Sequence, residues 1–186
     1  LGANGIKTLV LDGKSYDDVK REIGILAALT GEQKKGEELV QKMDSDLDAV
    51  RRSIPQEKKR VAIIHSTGQG LSVQLDGSIA GCIANMLGWE NTAAGMPALD
   101  KNPDAAPYSM ETLVAQNPDI LFVTSMGDEA EIRASMEAMF ADNPAWQSVT
   151  AIREGRVYYL PQEMFLFSPG LDYPAAAKYM AGLVYP

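Results

Sequence analysis

The sequence predicts an α/β fold, a mainly parallel sheet with helices on both faces and three layers in all. Three observations carry that expectation. Residues 61–64 and 120–123 are unbroken apolar runs, which suit strands covered on both sides. Segments with apolar residues at three- and four-residue steps alternate with those runs, the pattern of strand–helix–strand units. The stretch 108–124 shows one whole unit. Ser109 is placed to cap a helix and Glu111 to meet the positive end of its dipole. Met110, Leu113 and Val114 form an apolar stripe, and Pro118 pushes Asn117 out of the helix and stops it before the run at Ile120.

The remaining elements follow in order. Residues 8–11 read as a short apolar strand, and the opening residues predict a chain that begins inside a larger protein. Ser15 precedes a helix with Tyr16, Val19, Ile23, Leu26 and Leu29 on one stripe. Thr30 and Gln33 stand at capping-box spacing. The helix they open carries Leu39, Val40, Met43, Leu47, Val50 and Ile54 and closes at Pro55. Residues 60–65 form a strand, and 66–70 a loop. A helix holding Ile79, Ile83, Met86 and Leu87 ends at Gly88, a natural C-cap. Residues 91–107, rich in Ala, Pro, Asn and Asp, read as loop. After the central unit come a helix with Ile132, Met136, Met139 and Phe140, a short helix from Pro144, a strand at 156–160 and a last helix over 173–184.

Composition narrows the function. The 186 residues carry a net charge of −8, which argues against nucleic acid, whose phosphates demand a basic face. An acidic surface suits a partner carrying Arg or Lys. Cys82 is the single cysteine, so no internal disulfide and no cysteine zinc cluster is possible. No apolar run is long enough for a membrane-spanning helix. Gly68 and Gly70 lack the third glycine of a dinucleotide fingerprint, and no P-loop lysine follows. His65 is the sole histidine, which excludes triads and cages needing several. It reads as a hydrogen-bonded strand-end histidine, the alternative being one ligand to an iron chelate or haem. No cofactor is implied.

Open parallel sheets hold ligands beyond the carboxyl ends of their strands. That rule nominates the loops at 65–70, 124–127 and 161–165. Ser66, Thr67, Gln69, Ser125 and Gln162 are their polar candidates, and Met126, Met164 and Phe165 their apolar lining.

The order of segments resembles the carboxy-terminal part of the periplasmic-binding-protein family for iron–siderophore, haem and cobalamin uptake, the substrate-binding components of ABC importers. The residues that carry the likeness are Ser15-Tyr16-Asp17-Asp18-Val19 with Leu26 to Gly31, Met86-Leu87-Gly88-Trp89-Glu90-Asn91, and Ser109-Met110-Glu111 with Asn117-Pro118-Asp119. Trp146, Ala151 to Tyr158, and Leu183 to Pro186 complete it. The resemblance implies two Rossmann-like lobes joined by one long helix, with an iron chelate or metal-macrocycle held between them. Residues 1–12 are then the tail of a truncated first lobe, 13–31 the interlobe bridging helix, and 32–186 the second lobe. It further implies that Glu111 docks on arginines of the ABC permease, and that the protein works outside the cytoplasm, in the periplasm or lipid-anchored at the outer face of the cell membrane. The expected role is capture and delivery, not catalysis. An enzyme or sensor built on the same open sheet is the alternative. The helix stripe 16–26 and the strand 8–11, separated from a first lobe, are expected to drive self-association.

Overall fold

The computed structural model describes residues 7–68 and 70–186. Helices α1 (Tyr16–Thr30) and α2 (Gln33–Ser53) lead into β1 (Arg60–Thr67), β2 (Gly70–Gln74), α3 (Ile79–Met86), β3 (Glu90–Asn91) and β4 (Ala105–Pro107). The second half runs α4 (Met110–Gln116), β5 (Ile120–Ser125), α5 (Glu129–Asp142), α6 (Pro144–Gln147), α7 (Thr150–Arg153), β6 (Val157–Leu160) and α8 (Gln162–Phe165). A 3-10 turn (Gly170–Asp172) and α9 (Tyr173–Val184) close it. No helix among the described residues is long and apolar enough to cross a membrane.

The sheet is mixed but mostly parallel, with strand order β4-β2-β1-β5-β6 and β3 beside the start of β1. Strands β1 and β5 run parallel from Val61 opposite Ile120 to Ser66 opposite Ser125, and β6 continues the parallel side. Strand β2 folds back antiparallel on β1, and β4 pairs antiparallel with β2. Side chains alternate across this sheet, as the two-residue period of strands requires. Val61, Ile63, Ile120, Phe122 and Leu160 meet residues of α1, α2, α3 and α9 in one core. Ala62, Ile64, Leu121 and Val123 meet Leu113, Met136, Phe140 and Trp146 in the other. Both faces are covered, as the apolar runs predict.

Local chemistry sets the element ends. Ser15 and Asp18 form a capping box at the start of α1, and Arg21 also bonds Asp18. The bonds from Ser15 come first among the causes that hold the Asp18 carboxyl below its usual range. Lys20 and the Tyr16 hydroxyl both donate to Asp44 and clip α1 to α2. At Gly36 the two helices approach so closely that a side chain would collide with Ala27. Asn117 ends α4 in the left-handed region at φ 41°, which Asn tolerates better than most residues.

Four expectations change. Residues 8–11 form no strand; Val10 is 82% exposed. A four-residue apolar run without a paired neighbour has nowhere to place its backbone hydrogen bonds. Thr30 does not cap α2: it is the last residue of α1, its hydroxyl donates back to Leu26, and Gly31 turns the chain at φ 75°. The expected loop 66–70 contains the end of β1 and the start of β2, and the expected loop 91–107 ends in β4. Residues 1–6, assigned above to the tail of a first lobe, and Gln69 lie outside the described residues.

Candidate functional site

Above the last apolar layer of β1 the sheet turns polar on one face. Val61 and Ile63 join the core beneath α1, α2, α3 and α9. His65, next on that face, lines a cleft of about 530 Å³ instead. Ser72 and Gln74 of β2 line the same cleft, while Val73 between them packs into the opposite core. The walls come from residues 11–14, from Ser78 and Ile79 at the start of α3, from Asn102 and Asp104, and from residues 165–168. The volume falls in the range of small-molecule sites. Gly81 seats α3 against the end of the hairpin, where any side chain would strike the Leu75 carbonyl.

One hydroxyl organises the floor. Thr124 is fully buried on β5, and its Oγ1 accepts from Gln74 Nε2 at 3.0 Å. His65 Nδ1 lies 3.1 Å from the same oxygen, which in turn donates to the Ile64 carbonyl at 3.4 Å. Burial holds the His65 imidazole below its ordinary pKa, against the opposing pull of Thr124. The ring is therefore neutral at pH 7. Gln74 Oε1 is buried with no partner. Asn91 anchors the far end of β2 by donating to the Gln74 carbonyl at 3.0 Å.

The segment before α1 is tied to the walls of the cleft. Ser168 Oγ donates to the Gly13 carbonyl at 2.6 Å, the Tyr173 hydroxyl donates to the Lys14 carbonyl, and Lys14 pairs with Asp104 at 3.4 Å. Among the described residues no group of three or more His, Cys, Asp or Glu side chains is gathered closely enough to hold a metal ion.

The structure divides the nominated residues. Ser125 and Gln162 line a separate hollow of about 130 Å³ between the ends of β5 and β6. Phe165 is buried and forms part of the larger cleft beside His65. Ser66 is buried, Thr67 bonds the Gly70 carbonyl in the hairpin turn, and Met126 is 61% exposed. Glu111 is exposed in the first turn of α4, where Ser109 accepts the Thr112 amide. Sequence reasoning missed Ser72, Gln74, Lys14 and Asp104. The alternation Leu71-Ser72-Val73-Gln74 after a glycine was the available signal, since it is the period of a half-buried strand.

The model of the family described as "Periplasmic binding protein" matches residues 1–164. The chain belongs to that family. It is 27% identical over 146 residues to the iron-uptake system-binding protein of Bacillus subtilis (strain 168), a match that covers 75% of this chain and 44% of that protein. Among solved structures, an ABC transporter substrate-binding protein from Listeria monocytogenes EGD-e superposes with a TM-score of 0.81 at 24% identity, over 98% of this chain and 69% of that one. The periplasmic heme binding protein HutB of Vibrio cholerae gives 0.80 at 19% identity, over 100% and 70%. At these identities the superpositions speak for the fold. This chain spans less than half the length of the Bacillus relative.

Proposed function

We propose that this chain serves as the bridging helix and second lobe of a substrate-binding protein of an ABC importer, capturing an iron chelate and handing it to the permease with no bond made or broken. The family match over residues 1–164 carries this reading. The cleft adds support, because it lies toward the carboxyl end of β1, where open sheets hold ligands. On this reading residues 1–12 belong to a first lobe, 13–31 to the bridge and 32–186 to the second lobe, and the protein works outside the cytoplasm. Siderophore, haem and cobalamin-like molecules are the ligand classes. The cleft over the hairpin is the main contact surface, and the separate hollow lined by Ser125 and Gln162 is a second, smaller one.

Titrating the encoded protein with ferric siderophores, haemin and cobalamin tests the capture role. One class is expected to bind, and failure of all three overturns the reading. Glu111 is the docking residue. Its dipole contribution is about 0.3–1 kcal/mol, so Glu111→Gln should barely shift melting while reducing stimulation of the transporter's ATPase. Normal stimulation would return Glu111 to a role in the helix alone. Self-association of the 186-residue chain now rests on exposed Val10, Leu26 and Leu29, since no strand exists at 8–11. Light scattering over a concentration series checks it, and a monomer throughout would refute it.

A further inference from the structure

The capture reading leaves the ligand's chemistry open, and the floor of the cleft narrows it. Gln74 is 7% exposed and lines the cleft from the edge of the hairpin. Its amide nitrogen is committed to Thr124, and its oxygen has no partner. Buried acceptors are ordinarily satisfied, so an orphan at a cleft wall marks a bond to be completed by something that enters. The terminal torsion of a Gln side chain is broad. A carboxamide oxygen accepts only, so the group that meets it must donate.

Charge narrows the ligand further. Lys14 is the one Lys or Arg among the described residues lining the cleft, and it is paired with Asp104; Asp12 lines the wall as well. Among the described residues lining the cleft no Arg fork is present to hold a multiply charged anion in the two-pronged manner. Burial keeps His65 from supplying a positive charge at neutral pH. Apolar area from Leu11, Ile79, Phe165 and Phe167 offers cover for an organic shell.

We propose that the Gln74 carboxamide oxygen selects an uncharged ferric chelate that carries amide N–H groups, receiving one of those donors at the cleft floor. This rests on the capture reading above. A ferric trihydroxamate whose backbone contains secondary amides has the required chemistry. A ferric tris-catecholate carries the same kind of donor around a trianionic core, which this half of the cleft repels. Haemin offers no N–H, because its four pyrrole nitrogens are all bound to iron.

The test is calorimetric titration of the encoded protein with those three probes, repeated on Gln74→Leu and Gln74→Glu, with thermal melts of each unliganded variant. The parent should bind the trihydroxamate tightest. Gln74→Leu should weaken that complex about tenfold, the scale of one lost hydrogen bond. Gln74→Glu, which keeps an acceptor oxygen, should retain more of the affinity than the Leu variant. Should Gln74→Leu fail to fold, Gln74→Met supplies the same loss with a more adaptable side chain. Equal affinity of parent and Leu or Met variant overturns the proposal while leaving the capture reading intact. So does tighter binding of haemin or of the catecholate by the parent. If the parent binds none of the three, the capture reading itself fails, and this inference with it.

Discussion

The two sides of β1 are built on different terms. Toward β5 and β6 every neighbour is parallel, and Ile120, Leu121, Phe122, Val123 and Thr124 are at most 1% exposed. Toward β2 and β4 the pairing is antiparallel, and Leu71 and Ser72 are only half-buried. A strand buried on both faces must be apolar throughout and has no side chain to spare for recognition. A hairpin with one face on the core and one on the cleft can place Val73 inward and Gln74 at the cleft. The deepest burial thus lies on one side of β1 and the open cleft on the other. Thr124 is the exception, a polar residue in the buried strand that reaches across to both Gln74 and His65.

The sharpest way to break that contrast is to truncate one core residue on each side. Phe122 is fully buried and stacks on Trp89 with ring centres 6.0 Å apart. Phe122→Ala should cost about 3–5 kcal/mol. Val73→Ala removes two carbons, each worth about 0.8 kcal/mol, and should cost about 1.5 kcal/mol. Urea unfolding followed by far-ultraviolet circular dichroism measures both. Equal losses would show the hairpin to be as much a foundation as the parallel strands.

The same contrast explains what could be read from the sequence. The parallel side was legible because burial on both faces writes an apolar run directly into the chain, as at Ile120 to Val123. Helix α4 was legible because Ser109, Glu111, Asn117 and Pro118 mark both its ends. The hairpin was not. Gln74 and Ser72 look like loop residues unless their alternation with Leu71 and Val73 is weighed, and the two-residue turn includes Gly68. The short β4 depends on pairing with β2, which no local pattern announces. Residues 8–11 erred the other way: apolar sequence alone cannot make a strand without a partner. The nominated cleft residues were placed by a rule about strand ends, which points to the end of the sheet where the cleft lies. It could not say which face of β1 opens, and that depends on where α1 and α9 stop covering it.

The joint between the two sides offers a second, smaller test. Thr124→Val keeps the shape and removes the hydroxyl. Gln74 Nε2 and His65 Nδ1 then lose the oxygen they share, and buried groups left unmet cost about 1–3 kcal/mol. Chemical denaturation should show that loss. Hydrogen exchange should show faster opening of β2 than of β5, because β2 reaches β5 through this joint whereas β5 is paired along both its sides. A variant within about 0.5 kcal/mol of the parent, with exchange unchanged, would mean that the hairpin stands without it.

The gentlest probe is pH, and it acts through His65 at the cleft floor. His65 has a folded pKa below its ordinary value of 6.5. Between that value and the lower folded one, the unfolded chain takes up a proton that the folded chain refuses. The linkage relation then makes stability fall as pH drops through this interval. No other histidine titrates in the chain. Asp18 and Asp44, both held below the usual carboxylate range, lose their contributions only at more acidic pH. From pH 6.5 down to about 5 the decline therefore belongs to His65, since unperturbed carboxylates titrate near 4. One group can contribute at most about 1.4 kcal/mol per pH unit. Denaturant midpoints collected across that window should slope downward in the parent and flatten in His65→Gln, which cannot take the proton. A parent curve that stays level, or a variant that keeps the parent's slope, would show that His65 is equally at ease charged and neutral, and that the cleft floor is wetter than its burial implies.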